Sequence, residues 1–205
     1  MVLPEIARRR GSKHQLRAWS ASCASGEEAF SLAILFEREG IADQSQLVAT
    51  DISRSALAKA RQAIFGGWSL RGESPHLALP YLTPVGKDYR LDEKIRRRVA
   101  LSHLNLALNA YPSFASGIWG MDLILCRNVL IYFDRPMVRQ VAQRLFRTLA
   151  EGGWLITASS DPPLWEDAPF EVVTTEEGVF YRRPGGPELA SPVELPDVQP
   201  VSDAF

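Results

Sequence analysis

Met121-Asp122-Leu123-Ile124-Leu125-Cys126-Arg127-Asn128-Val129-Leu130-Ile131-Tyr132-Phe133-Asp134 is the stretch that decides the fold. Its first six residues are apolar except for Asp122, without alternation of polar and apolar positions. That is the pattern of a strand covered on both faces, as in a parallel sheet. The polar pair Arg127-Asn128 stands directly after the strand, followed by apolar residues and a tyrosine, which suits the floor of an active site. Asp134 then reads as a helix N-cap, with Pro136 in the first turn. Val138, Val141, Leu145 and Leu149 give that helix its buried stripe, and Gly152-Gly153 is expected to close it.

Working outward, the same alternation of strand and helix recurs. Leu16 to Ser20 reads as a strand, Ala21 to Gly26 as a loop, and Ala29, Leu32, Ala33 and Phe36 as one face of a helix stopped at Gly40. Leu47 to Asp51 is a second buried strand, and Ser55 to Ile64 a second helix. The stretch from Phe65 to Arg98 is broken by Gly66-Gly67, Pro75, Pro80 and Pro84, so residues 66–98 are expected to form a small insertion of short strands. Strand character returns at Val99 to Leu104 and Trp154 to Ser159. Phe170 to Thr174 and Val179 to Arg182 pair as a C-terminal hairpin. The fold class is therefore α/β: a mainly parallel sheet covered by helices, with an antiparallel edge. One domain is expected over residues 1–183. Beyond Arg183, recurrent prolines and the loss of Lys and Arg suggest a disordered acidic tail over 184–205.

Composition narrows the function. A hydrophobic share of 46% with 23% charged residues fits a globular domain, and a net charge of -1 supplies no field toward nucleic acid or membrane. Cys23 and Cys126 stand apart, with no CxxC and no cluster of metal ligands. Neither a signal peptide nor a membrane-spanning run is visible, so the chain reads as cytoplasmic.

In open α/β sheets ligands bind outside the carboxyl ends of the strands, so the residues there carry the function. After the first strand comes Ser20-Ala21-Ser22-Cys23-Ala24-Ser25-Gly26-Glu27-Glu28. Its small residues let a ligand approach the backbone, and the phosphate-binding GxGxxG pattern is absent. Two acids at the helix mouth suit a cationic ligand group; they also suit the helix dipole alone. Asp51 ends the second strand 25 residues after Gly26, near the spacing at which an acid holds ribose hydroxyls, although it also suits a helix cap. Asn105, after the third strand, has the donor and acceptor that an adenine edge requires, or is a turn residue. Loop and acid together point to an adenosine-containing ligand without phosphates, of which S-adenosylmethionine is the obvious one.

With these strings in order, namely Trp19 to Ala21, Gly26-Glu27-Glu28, Ala49 to Ser53, Asn105-Leu106 and Cys126 to Asp134, the chain resembles the CheR-type chemotaxis receptor methyltransferases from about Leu3 to Arg183. The resemblance implies a Rossmann-like methyltransferase fold with S-adenosylmethionine across the strand ends and S-adenosylhomocysteine as product. It implies Glu28 at the methionine end of the cofactor, Asp51 at the ribose, and Asn105 with Leu106 at the adenine. Arg127 and Asn128 would line the cofactor cleft, with Tyr132 and Arg127 the catalytic pair. It implies glutamate side chains of a chemoreceptor as methyl acceptors, with no direct membrane insertion and no metal, and makes the insertion a β-subdomain that in some members docks the receptor tail. Family members also carry an N-terminal helical domain and linker that complete the cofactor site. This chain is expected to lack them or to receive them from a partner in trans. Ser22 stands where Gly or Ala is common, Ala29-Phe30 where Pro-Tyr is usual, and Ala158-Ser159-Ser160-Asp161 replaces Gly-His-Ser-Glu.

A carboxylate acceptor is already ionised at neutral pH, so no strong base is needed, and none of His14, His76 and His103 falls in these strings. A different class of function is a catalytically impaired module that binds S-adenosylmethionine or S-adenosylhomocysteine for regulation or interaction. A small-molecule O-methyltransferase is a third, against which the Arg127 to Asp134 string speaks.

Overall fold

The computed structural model describes residues 2–11, 14–70, 75–175 and 178–185. In chain order the elements are α1 (Val2–Arg10), β1 (Leu16–Ala21), α2 (Glu27–Arg38), β2 (Ser45–Asp51), α3 (Arg54–Gln62), β3 (Ile64–Gly66), β4 (Leu82–Val85), β5 (Asp88–Leu91), α4 (Glu93–Arg96), β6 (Val99–His103), β7 (Met121–Leu125), α5 (Arg135–Thr148), β8 (Leu149–Ile156), β9 (Glu171–Thr175) and β10 (Gly178–Arg182). Seven strands form one sheet in the order β6-β2-β1-β7-β8-β10-β9. The pairs from β6 to β8 are parallel, and β10 runs antiparallel to both β8 and β9. The strand order reverses between β1 and β7, which places the switch-point crevice over the ends of those two strands.

Successive residues of a strand face opposite sides of a sheet, and here the two sides are two cores. Leu47, Leu123 and Trp154 pack with Leu32, Ala33 and Phe36 of α2 and with Leu57 and Ala60 of α3. Their neighbours Val48, Ile124 and Leu155 pack on the other side with Val138, Val141 and Leu145 of α5. Trp19 lies fully buried in the second core, where its Nε1 donates to Thr50 Oγ1 at 3.0 Å. The apolar character of β7, broken only at Asp122, is thus explained by burial on both faces.

Between α3 and β6 the chain leaves this sheet. β3, β5 and β4 form a separate three-stranded antiparallel sheet, followed by the single helical turn α4. The tail expected over 184–205 lies, from residue 186 on, outside the described residues.

One expectation is corrected, and one element is added. Gly152-Gly153 does not close the helix before it: α5 ends at Thr148 and β8 begins at once with Leu149, running through both glycines. Gly153 is needed because a Cβ there would stand 2.6 Å from the Met121 carbonyl oxygen and 2.9 Å from that of Ala150, at a register shift between β7 and β8. Val2–Arg10, in which the sequence pattern announced no element, form α1. Ile6 is buried in the first core, Glu5 pairs with Arg182 at 3.2 Å, and Arg10 donates to the Glu151 carbonyl at 2.7 Å. Near the start of β7, buried Asp122 accepts from His14 Nε2 at 2.8 Å and the Arg17 amide at 2.9 Å. Arg10 Nε stands 3.2 Å from its other oxygen as an ion pair without a hydrogen bond. Among the described residues no helix is long and apolar enough to cross a membrane.

The atoms facing Gly153 are backbone carbonyls that a side-chain rotation cannot move aside. Gly153→Ala is therefore expected to lower stability by about 3 kcal/mol, the upper range for overpacking, measured by urea unfolding against the unmodified chain.

Candidate functional site

Three loops meet at the carboxyl edge of the sheet over the crevice. The first, after β1, turns through backbone conformations that side chains rarely adopt: φ is +71° at Ser22, +47° at Ala24 and +96° at Gly26. Two features hold it there. The amides of Ser22 and Cys23 both donate to the Thr50 carbonyl, at 2.8 and 2.9 Å, and the Ala24 amide donates to Asp51 Oδ2 at 2.8 Å. A Cβ on Gly26 would press on the Phe30 ring at 2.7 Å, so the tight entry into α2 requires glycine on both counts.

The second loop, after β7, holds Arg127 to Tyr132. Asn128 is left-handed, with φ +58°. Its amide donates to Asp161 Oδ2 at 2.7 Å, and the amides of Val129 and Leu130 donate to Asp161 Oδ1 at 3.1 and 3.0 Å. The Ala158 amide, in the third loop after β8, gives Asp161 a further hydrogen bond at 3.0 Å. One buried carboxylate therefore pins two of the three loops together.

Between the first two loops lies a cleft of about 840 Å³. Glu28, Arg127, Asn128 and Tyr132 line it together, with Cys23 and Ala24 from the first loop and Val2 and Leu3 from α1. Glu28 accepts from Ser20 Oγ at 2.8 Å, and its Oε2 stands 3.5 Å from Arg127 Nη1. Burial raises the Glu28 carboxyl above the ordinary carboxylate range, against the opposing pull of Ser20 and Arg127. Cys23 is buried beside Asp51 and Glu28, and both effects push its thiol up to about 12, so it is no nucleophile at neutral pH. Tyr132 is 79% exposed at the rim.

The remaining candidates sit further along the same edge, outside the residues that line this cleft. Asp51 is buried at the end of β2; besides the Ala24 amide it accepts from the Ser53 amide at 2.7 Å and, at 3.4 Å, from Ser22 Oγ. Asn105 turns back on the chain, its Oδ1 accepting from the Ala107 amide at 2.9 Å, and Leu106 is buried in the second core. From Tyr132 and Glu28 to Asp51 and then Asn105, these residues follow the strand ends β7, β1, β2 and β6 in spatial order. That line fits an extended ligand with a cationic end at Glu28 and a nucleoside end over β2 and β6. A carboxylate has about four lone-pair sites, so Asp51 retains room for one hydroxyl.

Sequence reading missed Asp161, Ser20, Val2 and Leu3. For Asp161 a signal existed, since the acid is retained where Ala158-Ser159-Ser160-Asp161 departs from Gly-His-Ser-Glu. For α1 there was none, because its burial and ion pairs come from distant strands.

This strand order and crevice define the class as a Rossmann-like methyltransferase fold. Among solved structures, a putative O-methyltransferase from Nostoc punctiforme shares it with TM-score 0.51 at 13% identity, over 89% of this chain and 57% of that one. The chain belongs to the family described as CheR methyltransferase, SAM binding domain, which it matches over residues 1–179, and its cofactor is S-adenosylmethionine. Chemotaxis protein methyltransferase 1 of Pseudomonas aeruginosa is 34% identical over 189 residues, covering 88% of this chain and 67% of that protein. A protein named probable biofilm formation methyltransferase WspC, from Pseudomonas putida, is 36% identical over 150 residues, covering 73% of this chain and 35% of that one. The chain thus spans about two thirds of the length of the first relative and about one third of the second.

Two outcomes follow from these contacts. Asp161→Asn places an amide group among four N–H donors and removes the charge, so it is expected to cost about 2–3 kcal/mol and to weaken S-adenosylhomocysteine binding. Asp161→Glu should retain most of both, as read by urea unfolding and calorimetric titration. The second concerns pH. Glu28 must be ionised to face an ammonium group, and its raised pKa means that it takes up a proton earlier than an ordinary carboxylate as pH falls. Affinity for S-adenosylhomocysteine should therefore decline on acidification before ordinary carboxylates titrate. The raised pKa also means that protonating Glu28 stabilises the free fold, so loss of this charge does not itself drive unfolding. Calorimetry should find Glu28→Gln weaker and flat through the same window.

Proposed function

We propose that this domain transfers the methyl group of S-adenosylmethionine to glutamate side chains of a chemoreceptor-type protein, giving methyl esters, in the cytoplasm. The observation that carries the reading is the company of Arg127 and Tyr132 with Glu28 around one cleft, with no histidine among its described lining residues. Bound there, S-adenosylmethionine supplies an electrophilic methyl group. The chain's own residues then have two tasks, to place an acceptor and to keep water out. Glu28 opposes the positive end of the cofactor. Asp51 takes the ribose, and Asn105 with Leu106 the adenine. Arg127 and Asn128 border the cofactor, and the guanidinium and the Tyr132 hydroxyl hold an acceptor carboxylate that is already ionised at neutral pH. Proximity and loss of solvent can supply several kcal/mol of such a displacement without a general base. The name of the Pseudomonas aeruginosa relative supports chemotaxis as the setting.

The rival reading is a module that binds S-adenosylmethionine or S-adenosylhomocysteine without turnover. The engagement of both Asp51 oxygens inside the fold favours it, because the ribose then competes with Ser22. A helical domain ahead of this core, or a partner acting in trans, would complete the site under the first reading.

Labelled S-adenosylmethionine, incubated with the chain and the cytoplasmic fragment of a receptor, separates the two. The first reading expects base-labile label on glutamates, reduced about tenfold or more by Tyr132→Phe at unchanged S-adenosylhomocysteine affinity. Binding with no label transferred, also after adding the N-terminal domain of a relative, would establish the second.

A further inference from the structure

A second cleft, of about 690 Å³, opens beside the first. The two share Leu125, Arg127 and Ile156, so Arg127 stands on the ridge between them. The far walls are Thr157 and Ser159 after β8, Trp165, and Val179 with Phe180 of β10. Three ionisable side chains face it among the described residues: Arg127, Asp161 and Tyr181. Asp161 is saturated by the amides of Asn128, Val129, Leu130 and Ala158. Tyr181 is buried and its hydroxyl accepts from the Leu164 amide at 3.1 Å, while burial pushes it above the usual phenol range. That leaves Arg127, among the described residues, as the charge with donors to offer. Its side chain is 47% exposed, and its contact with Glu28 is a single 3.5 Å approach rather than a bidentate pair. A guanidinium as the free charge among the described lining residues suits an anion, and the paired N–H groups of arginine match a carboxylate. The apolar surface of Trp165, 49% exposed, and of Val179 and Phe180 suits a short aliphatic arm carrying that carboxylate.

We propose that this second cleft is the acceptor subsite: the carboxylate of a glutamate side chain enters between Trp165 and the β10 wall and meets Arg127 on the ridge to the cofactor cleft. The proposal rests on the glutamate-methylation reading and adds the entry side and the residues that select the acceptor. Trp165 is its positioning residue and does not line the cofactor cleft.

The test uses the whole chain saturated with S-adenosylhomocysteine and two uncharged-backbone probes, acetyl-glutamate amide and acetyl-glutamine amide. The Trp165 indole N–H signal, assigned by Trp165→Phe, is followed by NMR during titration. The glutamate probe is expected to move that signal saturably in the millimolar range, about 4 kcal/mol of binding. The glutamine probe should move it at least tenfold less. Arg127→Gln should abolish the response in a chain whose remaining spectrum shows it folded. Trp165→Ala should weaken the glutamate probe, read at the Arg127 Nε signal, while calorimetry finds S-adenosylhomocysteine affinity unchanged. An equal response to both probes, or a response around Tyr132 with none at Trp165, overturns the subsite and leaves the methylation reading standing. Specific binding at Trp165 without label on receptor glutamates would instead remove that reading and keep a carboxylate site.

Discussion

The carboxylate of Asp161 is the constraint on which the carboxyl edge of this sheet depends. When β7 ends, its chain turns sharply at left-handed Asn128, and three successive amides are left without a strand to pair with. Orphaned backbone donors in a buried setting cost free energy comparable to lost hydrogen bonds. A single buried acceptor with two oxygens satisfies all three and, through Ala158, ties them to the end of β8. Hydrogen bonds to an ionised acceptor are roughly twice as strong as neutral ones, which offsets the cost of burying the charge. A further consequence concerns Arg127. Because Asp161 is used by the backbone, the guanidinium beside it remains available to other anions.

Asp51 applies the same device two strands away, holding the loop after β1 through the Ala24 amide and the start of α3 through the Ser53 amide. Both ends of the crevice are thus shaped by carboxylates that bind backbone first. Such a site is largely preformed, so little ordering is required of a ligand. It also explains how Ser22 and Ala24, which carry side chains, occupy positive φ in a loop that glycine would enter at lower cost.

What could be read in the sequence was what local pattern determines. The run of β7, apolar except for Asp122, announced burial on two faces. The Asp134 cap appears with its side chain accepting from the Met137 amide at 2.9 Å, and β9 and β10 form the hairpin. What could not be read depends on distant partners. Val2–Arg10 is short and carries no long apolar stripe, and it becomes a helix that lines a cleft because Val2, Leu3 and Ile6 pack on the first core while Glu5 and Arg10 find partners on strands far along the chain. Gly152-Gly153 resembles a helix stop from one side, and only the approach of the Met121 carbonyl shows why the pair lies within a strand. For the candidate site the division is similar. Glu28, Arg127, Asn128 and Tyr132 come together around one cleft. The spacing of Asp51 suggested a ligand contact, and could not reveal that its oxygens also serve the loop facing it.

In the proposed reading, the Glu28–Arg127 contact links the two clefts. Their contact is partly exposed and single, and such pairs are worth at most about 1 kcal/mol. It holds the side chains near each other without locking them. A ligand with a positive end takes over Glu28, whose carboxylate is poorly solvated and therefore gains from a cation. Arg127 then loses its neighbour's charge and presents an uncompensated guanidinium to the second cleft. Under the proposed acceptor reading, the charge that would attract a carboxylate is then strongest once the cofactor is in place. The arrangement favours cofactor first and acceptor second, from nothing more than the weakness of one ion pair set between two stronger demands.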